Sequence, residues 1–305
     1  MSCLPSMDTV DFRILLELHR HPFASFEGIG RTVRITGTAV KARLERMEAR
    51  GVVQGFYVAV AAPAFRRWRR IHAFANPERE PAFEAVTAVD DVVFVWRGPP
   101  GMFMVTTFDA SPQAEPPTGL VKLFGGPPVA SVSPDPPDRP SRVEAVLSPL
   151  DWRVVDALLD APRASLRQLA SAAGLTAKTV RHHRDRLVAK GLLEVAPILD
   201  TSREPGLIVY SGYVGVARAG DLRNVRVPGM GHVWIHHDPA AMAVLGRVSS
   251  YGEIIDVERQ LRSMPGVTRV VVTVARGGAV ATPRLRTWIL AERERWRARA
   301  HGPDR

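Results

Sequence analysis

The sequence predicts an α+β protein built as a tandem duplication, each half opening with three short helices and a strand and continuing into a small α+β module. Three observations predict it: a repeat at a constant offset of 140 residues, the same helix-start signals in both copies, and a proline-rich stretch where the copies meet.

Placing Met7 to Val53 above Leu147 to Leu193 without a gap pairs Asp11 with Asp151, Arg13 with Arg153, Leu18 with Leu158 and Pro22 with Pro162. It also pairs Ala24 and Ser25 with Ala164 and Ser165, Thr36 with Thr176, Val40 with Val180, Arg46 with Arg186 and Gly51 with Gly191. Val10, Ile14 and Leu18 answer to Leu150, Val154 and Leu158, a spacing that puts all three on one helix face. The register continues with Val92 to Trp96 over His232 to His236, and with Met102 and Val105 over Met242 and Leu245. After a slip of one residue, Val129 to Ser133 falls over Thr268 to Val272. Between the units, 1–140 and 141–280, Ser133 to Arg142 reads SPDPPDRPSR, the composition of a semi-rigid extended linker.

In the first copy the helices fall around Asp8 to Arg20, Ser25 to Thr32 and Thr36 to Arg50, followed by strand-like VVQGFYVAV with a wing turn at Gly55. In the second, Ser148-Pro149-Leu150-Asp151 supplies a hydroxyl cap, a proline at the first helical position and an acid three residues after the cap. That helix runs to about Asp160. Ser165 and Gln168 repeat the capping box, Gly174 ends the second helix, Thr176 caps the third, and Gly191 closes it before LLEVAPIL. Three short helices with a tight turn between the second and third, then a hairpin, describe a winged helix-turn-helix.

In that fold the third helix lies in the major groove and presents its outer side to base edges. Val40, Leu44 and Met47 form the inward stripe of the first copy, and Val180 and Leu187 that of the second, where Arg184 takes the slot of Leu44 and snorkels. The outward positions are Gly37, Thr38, Lys41, Ala42 and Glu45 in one copy and Ala177, Lys178, Arg181, His182 and Asp185 in the other. The expected DNA-binding residues are Thr36, Thr38, Lys41, Arg43, Thr176, Lys178, Arg181 and His182. Phosphate contacts are expected from Arg31, Arg34, Arg43, Arg186, Lys190 and the run Arg66-Arg67-Trp68-Arg69-Arg70, which equally suits a solvated strand edge. A basic helix face is by itself an ordinary solvated surface; two copies of one arrangement turn the reading toward DNA.

Hydrophobic residues at 46% and charged residues at 24% exclude a disordered or fibrous chain. No apolar run is long enough to span a bilayer, and MSCLPSMDTVDFR lacks a basic region followed by an apolar core, so a cytoplasmic protein is expected, with no membrane partner. The lone cysteine, Cys3, excludes disulfide frameworks and thiolate metal sites. A net charge of +10 favours a polyanionic partner, though an arginine-rich code would give the same balance.

MDTVDFRILLELHRHP, TGTAVKARLERMEARGVV and LSPLDWRVVDALLDAPRASLRQLASAAGLTAKTVRHHRDRLVAKGLLE resemble the Lrp/AsnC family of bacterial and archaeal regulators. The resemblance implies a ferredoxin-like βαββαβ module after each head, which mediates assembly and in some members binds a small effector such as an amino acid. It implies double-stranded DNA as partner, with a homodimer and an unidentified effector as further partners; two units in one chain also allow a pseudo-dimer. The divisions are then 1–62 and 147–202 for the heads, 66–134 and 206–276 for the modules, and 135–146 for the linker. A basic C-terminal helix follows at 283–300. In the first module strands are expected at Arg70 to Asn76, Val92 to Arg97, Met102 to Phe108 and Val129 to Ser133, with helices at Pro81 to Val89 and Thr118 to Phe124. In the second they fall at Leu207 to Val216, His232 to His237, Ala241 to Val248 and Thr268 to Ala275, with a helix from Gly252 to Ser263. ARAGDLRNVRVPGMG is too short and glycine-rich for a full first helix, and PPTGLVKLFGG makes a weak one.

Pro283 to Ala300 puts Leu285, Ile289, Glu292 and Trp296 along one side, as expected for packing on the body or a second subunit; added DNA contact is the alternative. In GHVWIHHDP, alternation puts His232, Trp234 and His236 on one strand face, with His237 and Asp238 beside them. Nothing nearby adds a third ligand by spacing, so no metal and no cofactor are assigned. The expectation is a non-enzymatic transcription regulator. Two other readings stay open here: a tetrapyrrole-modifying enzyme, since sirohaem decarboxylases pair copies of a similar architecture, and an interaction scaffold that does not meet DNA.

Overall fold

The structure, a computed structural model, describes residues 7–76, 78–98, 100–111, 114–132, 147–202, 208–227, 230–237, 240–274 and 276–300. Cys3, the proline-rich linker and Asp238 lie outside the described residues.

The first head consists of α1 (Thr9–Arg20), α2 (Phe26–Val33) and α3 (Gly37–Ala49). Each begins where a side chain meets a free backbone amide: Asp8 with Asp11 in a reciprocal capping box, Ser25 on the amide of Gly28, and Thr36 on that of Ala39. After it come β1 (Val53–Val60), a 3-10 turn at Ala62–Phe65, β2 (Trp68–Ala75), α4 (Phe83–Ala88), β3 (Val92–Arg97), β4 (Met102–Asp109), α5 (Thr118–Phe124) and β5 (Ala130–Val132). The second head is α6 (Pro149–Asp160), α7 (Leu166–Ala173) and α8 (Ala177–Ala189). Every helix of this head begins and ends 140 residues after its counterpart. The chain continues through β6 (Leu193–Leu199), β7 (Ile208–Val216), a 3-10 turn at Ala219–Asn224, β8 (Met230–His237), β9 (Ala240–Val248), α9 (Tyr251–Arg262), β10 (Val267–Val274), β11 (Gly278–Val280) and α10 (Thr282–Ala300).

Two corrections concern the strands after the heads. No wing turn forms at Gly55; β1 runs through that glycine (φ 140°) and pairs with β6 in a two-stranded sheet. The edge strand β11 was not expected at all. The modules otherwise carry the anticipated order. Strands β10-β7-β9-β8 form one antiparallel sheet, and β3-β4-β2-β5 form the same arrangement with β11 added beside β3. The weak helices are weak as read: α5 has no side-chain cap and ends on Gly125 at φ 74°, and the first helix of the second module is reduced to the 3-10 turn.

The compact units do not coincide with the sequence repeats. One comprises Met1–Gly55, Trp96–Met104 and Pro197–Gly278, which joins the first head to the second module. Its sheet core is built from Tyr210, Val214, Val244, Val270 and Leu261 of α9, and the guanidinium of Arg247 lies 5.8 Å from the centre of the Phe12 ring. The other comprises Phe56–Val95, Val105–Ala196 and Ala279–Arg305, which joins the second head to the first module and α10. In this unit Leu285 and Ile289 of α10 are buried, and Trp288 packs on Phe65 and Phe108 with the guanidinium of Arg67 4.3 Å from its ring centre. Arg284 donates to the carbonyls of Thr87, Ala88, Val89 and Val92, satisfying the end of α4, and Arg286 pairs with Asp156 and Asp160 of α6. The closing helix therefore packs on the second head and the first module. Ile289→Ala should lower the stability of this unit by about 2 kcal/mol through the cavity it leaves, read as a shifted urea midpoint; an unmoved midpoint would show that the helix is not docked there.

Candidate nucleic-acid interface

A reading helix needs its inner side anchored and its outer side open. In the first head Val40, Leu44 and Met47 are buried, while Thr36, Thr38, Lys41, Ala42 and Glu45 are exposed. Asp11, at the third helical position of α1, is buried, and its carboxylate accepts from Arg43 at 2.8 Å and from Arg46 at 3.3 Å; Arg43 also donates to Asp8 at 2.8 Å. A carboxylate at the start of α1 thus clips two turns of α3. Arg13 adds a second tie, donating to the carbonyl of Thr32 at the end of α2. Arg34 holds the tight turn in the left-handed conformation (φ 64°), where the second copy has Gly174 (φ 60°).

The second head repeats the device with altered chemistry. Buried Asp151 accepts from Nδ1 of His183 at 2.7 Å and from Arg186, and Arg153 donates to the carbonyls of Ala173 and Gly174, each at 2.8 Å. Burial alone would raise the Asp151 carboxyl, but bonds from His183, Ser148 and Arg186 outweigh it and hold the group below the usual carboxylate range. Asp8 is lowered in the same way, burial being outweighed by Arg43 and the amides of Asp11 and Val10. Val180 and Leu187 are buried. Arg184, in the slot of Leu44, keeps only 11% of its side chain exposed and donates to Asp185 at 2.8 Å. Thr176 caps α8, and Thr176, Lys178, Arg181 and His182 are all exposed.

Seven of the eight residues named from sequence stand at the start or on the outer side of α3 and α8. Arg43 is placed differently: its guanidinium turns back to Asp8 and Asp11, because a buried carboxylate one helix away needs a cation. Arg186 is likewise engaged by Asp151. The run Arg66 to Arg70 is also largely internal, since Arg67 bonds Asp91 and the Phe108 carbonyl, and Arg70 bonds the Ala114 carbonyl and lies 3.3 Å from Asp109. Arg31, Arg34 and Lys190 remain exposed. Sequence reasoning missed the clip, although the paired identities Asp11/Asp151 and Arg46/Arg186 were its signal.

Elsewhere, His72 is fully buried on β2, bonded to Ser131 at 2.8 Å and Thr107 at 3.2 Å; burial, with the Arg70 charge, lowers its pKa to about 4. His232, His236 and His237 stand on β8, opposite Leu245, Ala241 and Ala240. Among the described residues no group of three His, Cys, Asp or Glu side chains could hold a metal ion, and no helix is long and apolar enough to cross a membrane.

Two anchored third helices with open outer sides, each followed by a ferredoxin-like sheet, define a protein with paired helix-turn-helix heads. Residues 7–48 match the AsnC-type helix-turn-helix domain, and residues 147–194 match the winged helix-turn-helix DNA-binding family. The HTH-type transcriptional regulator Rv2324 of Mycobacterium tuberculosis is 44% identical over 54 residues, 18% of this chain and 36% of that one. The HTH-type transcriptional regulator PH0045 of Pyrococcus horikoshii is 37% identical over 62 residues, 20% of this chain and 39% of its own length. The chain thus spans less than two-fifths of the curated relatives it matches. Among solved structures, the siroheme decarboxylase NirDL is similar over 94% of this chain and all of its own, at 10% identity and a TM-score of 0.42, too loose a likeness to carry an inference. The chain thus carries two helix-turn-helix heads, the first of the AsnC type and the second of the winged helix-turn-helix DNA-binding family.

Proposed function

We propose that this chain is a sequence-specific DNA-binding regulator of transcription of the Lrp/AsnC type, acting in the cytoplasm by occupying promoter DNA rather than by catalysis. The observation that carries the reading is the pair of third helices, each clipped from behind by a buried aspartate and offering exposed cationic side chains outward. The outer side of each helix enters a major groove, while Arg31, Arg34, Lys190 and the amides at the starts of α3 and α8 meet phosphates. The modules carry assembly, including a homodimer, and any small effector binds there.

Lys41→Ala and Arg181→Ala should each weaken DNA binding by about tenfold to a hundredfold, measured by fluorescence anisotropy, with unchanged melting because both residues are exposed. Affinity should also fall steeply with salt. Unchanged affinity in both variants would remove these faces as readers, and a Soret absorption band in the purified protein would contradict the non-catalytic reading.

A further inference from the structure

We infer that the two heads read unlike base sequences, so that one chain recognises a bipartite site made of two different half-sites. The inference rests on the DNA-binding reading above and deepens it. Two identical readers impose two copies of one half-site; this chain carries two readers that differ at every outward position. Thr38 answers to Lys178, Lys41 to Arg181, Ala42 to His182 and Glu45 to Asp185, and all eight are exposed.

The differences are chemical. On α3 the ammonium of Lys41 lies 3.6 Å from the Glu45 carboxylate, both well exposed, so that face offers one cation beside one acceptor, flanked by the methyl groups of Thr38 and Ala42. Methyl groups suit the thymine methyl, and a carboxylate accepts from cytosine N4. On α8 the Asp185 carboxylate is bonded through Oδ1 by Arg184, which reaches out from the inward slot and offsets its charge. That leaves Lys178 and Arg181 without an ion-pair or hydrogen-bond partner among the described residues, next to the edge-on rings of His182 and His183. Such a face is richer in free donors than that of α3, and donors in the major groove select the N7 and O6 acceptors of guanine, with arginine doing so through two parallel bonds.

The test is selection of random duplexes by the full chain, followed by single-base substitution of the winning site with wild type, Lys41→Ala, Arg181→Ala and Arg181→Lys. Two unlike half-sites should emerge, one of them guanine-containing. Arg181→Ala should flatten the preference at that guanine by about tenfold to a hundredfold and leave the other half-site's preferences intact, while Lys41→Ala does the reverse. Arg181→Lys keeps the charge but loses the fork, so it should lose the guanine preference and keep the salt slope of wild type. Two copies of one half-site, or Lys41→Ala and Arg181→Ala acting on the same bases, overturns the inference while leaving DNA binding standing. Failure of any sequence to enrich overturns the DNA-binding reading itself.

Discussion

Replacing Asp151 with Ala is expected to lower the stability of its unit by about 2 to 3 kcal/mol, the scale of losing a helix cap together with charge-assisted hydrogen bonds to a buried carboxylate. Its carboxylate closes the capping box with Ser148 and bonds His183 and Arg186, which approach from α8. Removal strips the start of α6 of its reciprocal cap and leaves His183 and the partly exposed Arg186 without their shared acceptor. Asp11→Ala should act alike in the other unit through Arg43 and Arg46. Urea denaturation followed by circular dichroism measures both. Losses under about 1 kcal/mol would mean that the clip does not hold the reading helix, since surface-like substitutions fall in that range.

Acidification is expected to remove about 3 kcal/mol between pH 7 and pH 4 through His72 alone. The unfolded imidazole titrates near 6.5, and the buried one is lowered to about 4. Because the folded value is depressed, the unfolded chain takes up the proton first, and stability present above 6.5 drains away as the pH falls toward 4. Below that, Asp8 and Asp151, held low by their partners, continue the loss as pH drops from the unfolded carboxylate value through their own. Asp109 works in the opposite sense, because burial pushes its carboxyl up. His72→Gln should flatten the slope of stability against pH between 6.5 and 4; an unaltered slope would show that this histidine is not the source.

The head helices were legible because their signals are local: a cap, an acid or amide three residues on, and a glycine at the end all lie within one turn of the element they define. The outer faces were legible for the same reason, since periodicity alone places Lys41 and Arg181 outside the buried stripes of Val40 and Leu187. Arg43 was not, because its role is fixed by Asp11, more than thirty residues earlier in sequence, and no helical period carries that information. The same holds for Arg67, whose partners Asp91 and Phe108 belong to other elements. Nor could the interleaved units be read, because two similar copies do not specify which head packs on which module. Gly55 misled for a third reason. A glycine in a strand suits a turn and a continuous strand equally, and pairing with β6 decided it.

Sequencing the genomic fragments retained by the purified chain at moderate ionic strength tests the central claim most directly. A limited set of enriched promoter fragments is predicted, lost in a Lys41→Ala, Arg181→Ala double variant that melts like wild type. Uniform retention of all fragments, no retention, or an enrichment that survives in the double variant would contradict it.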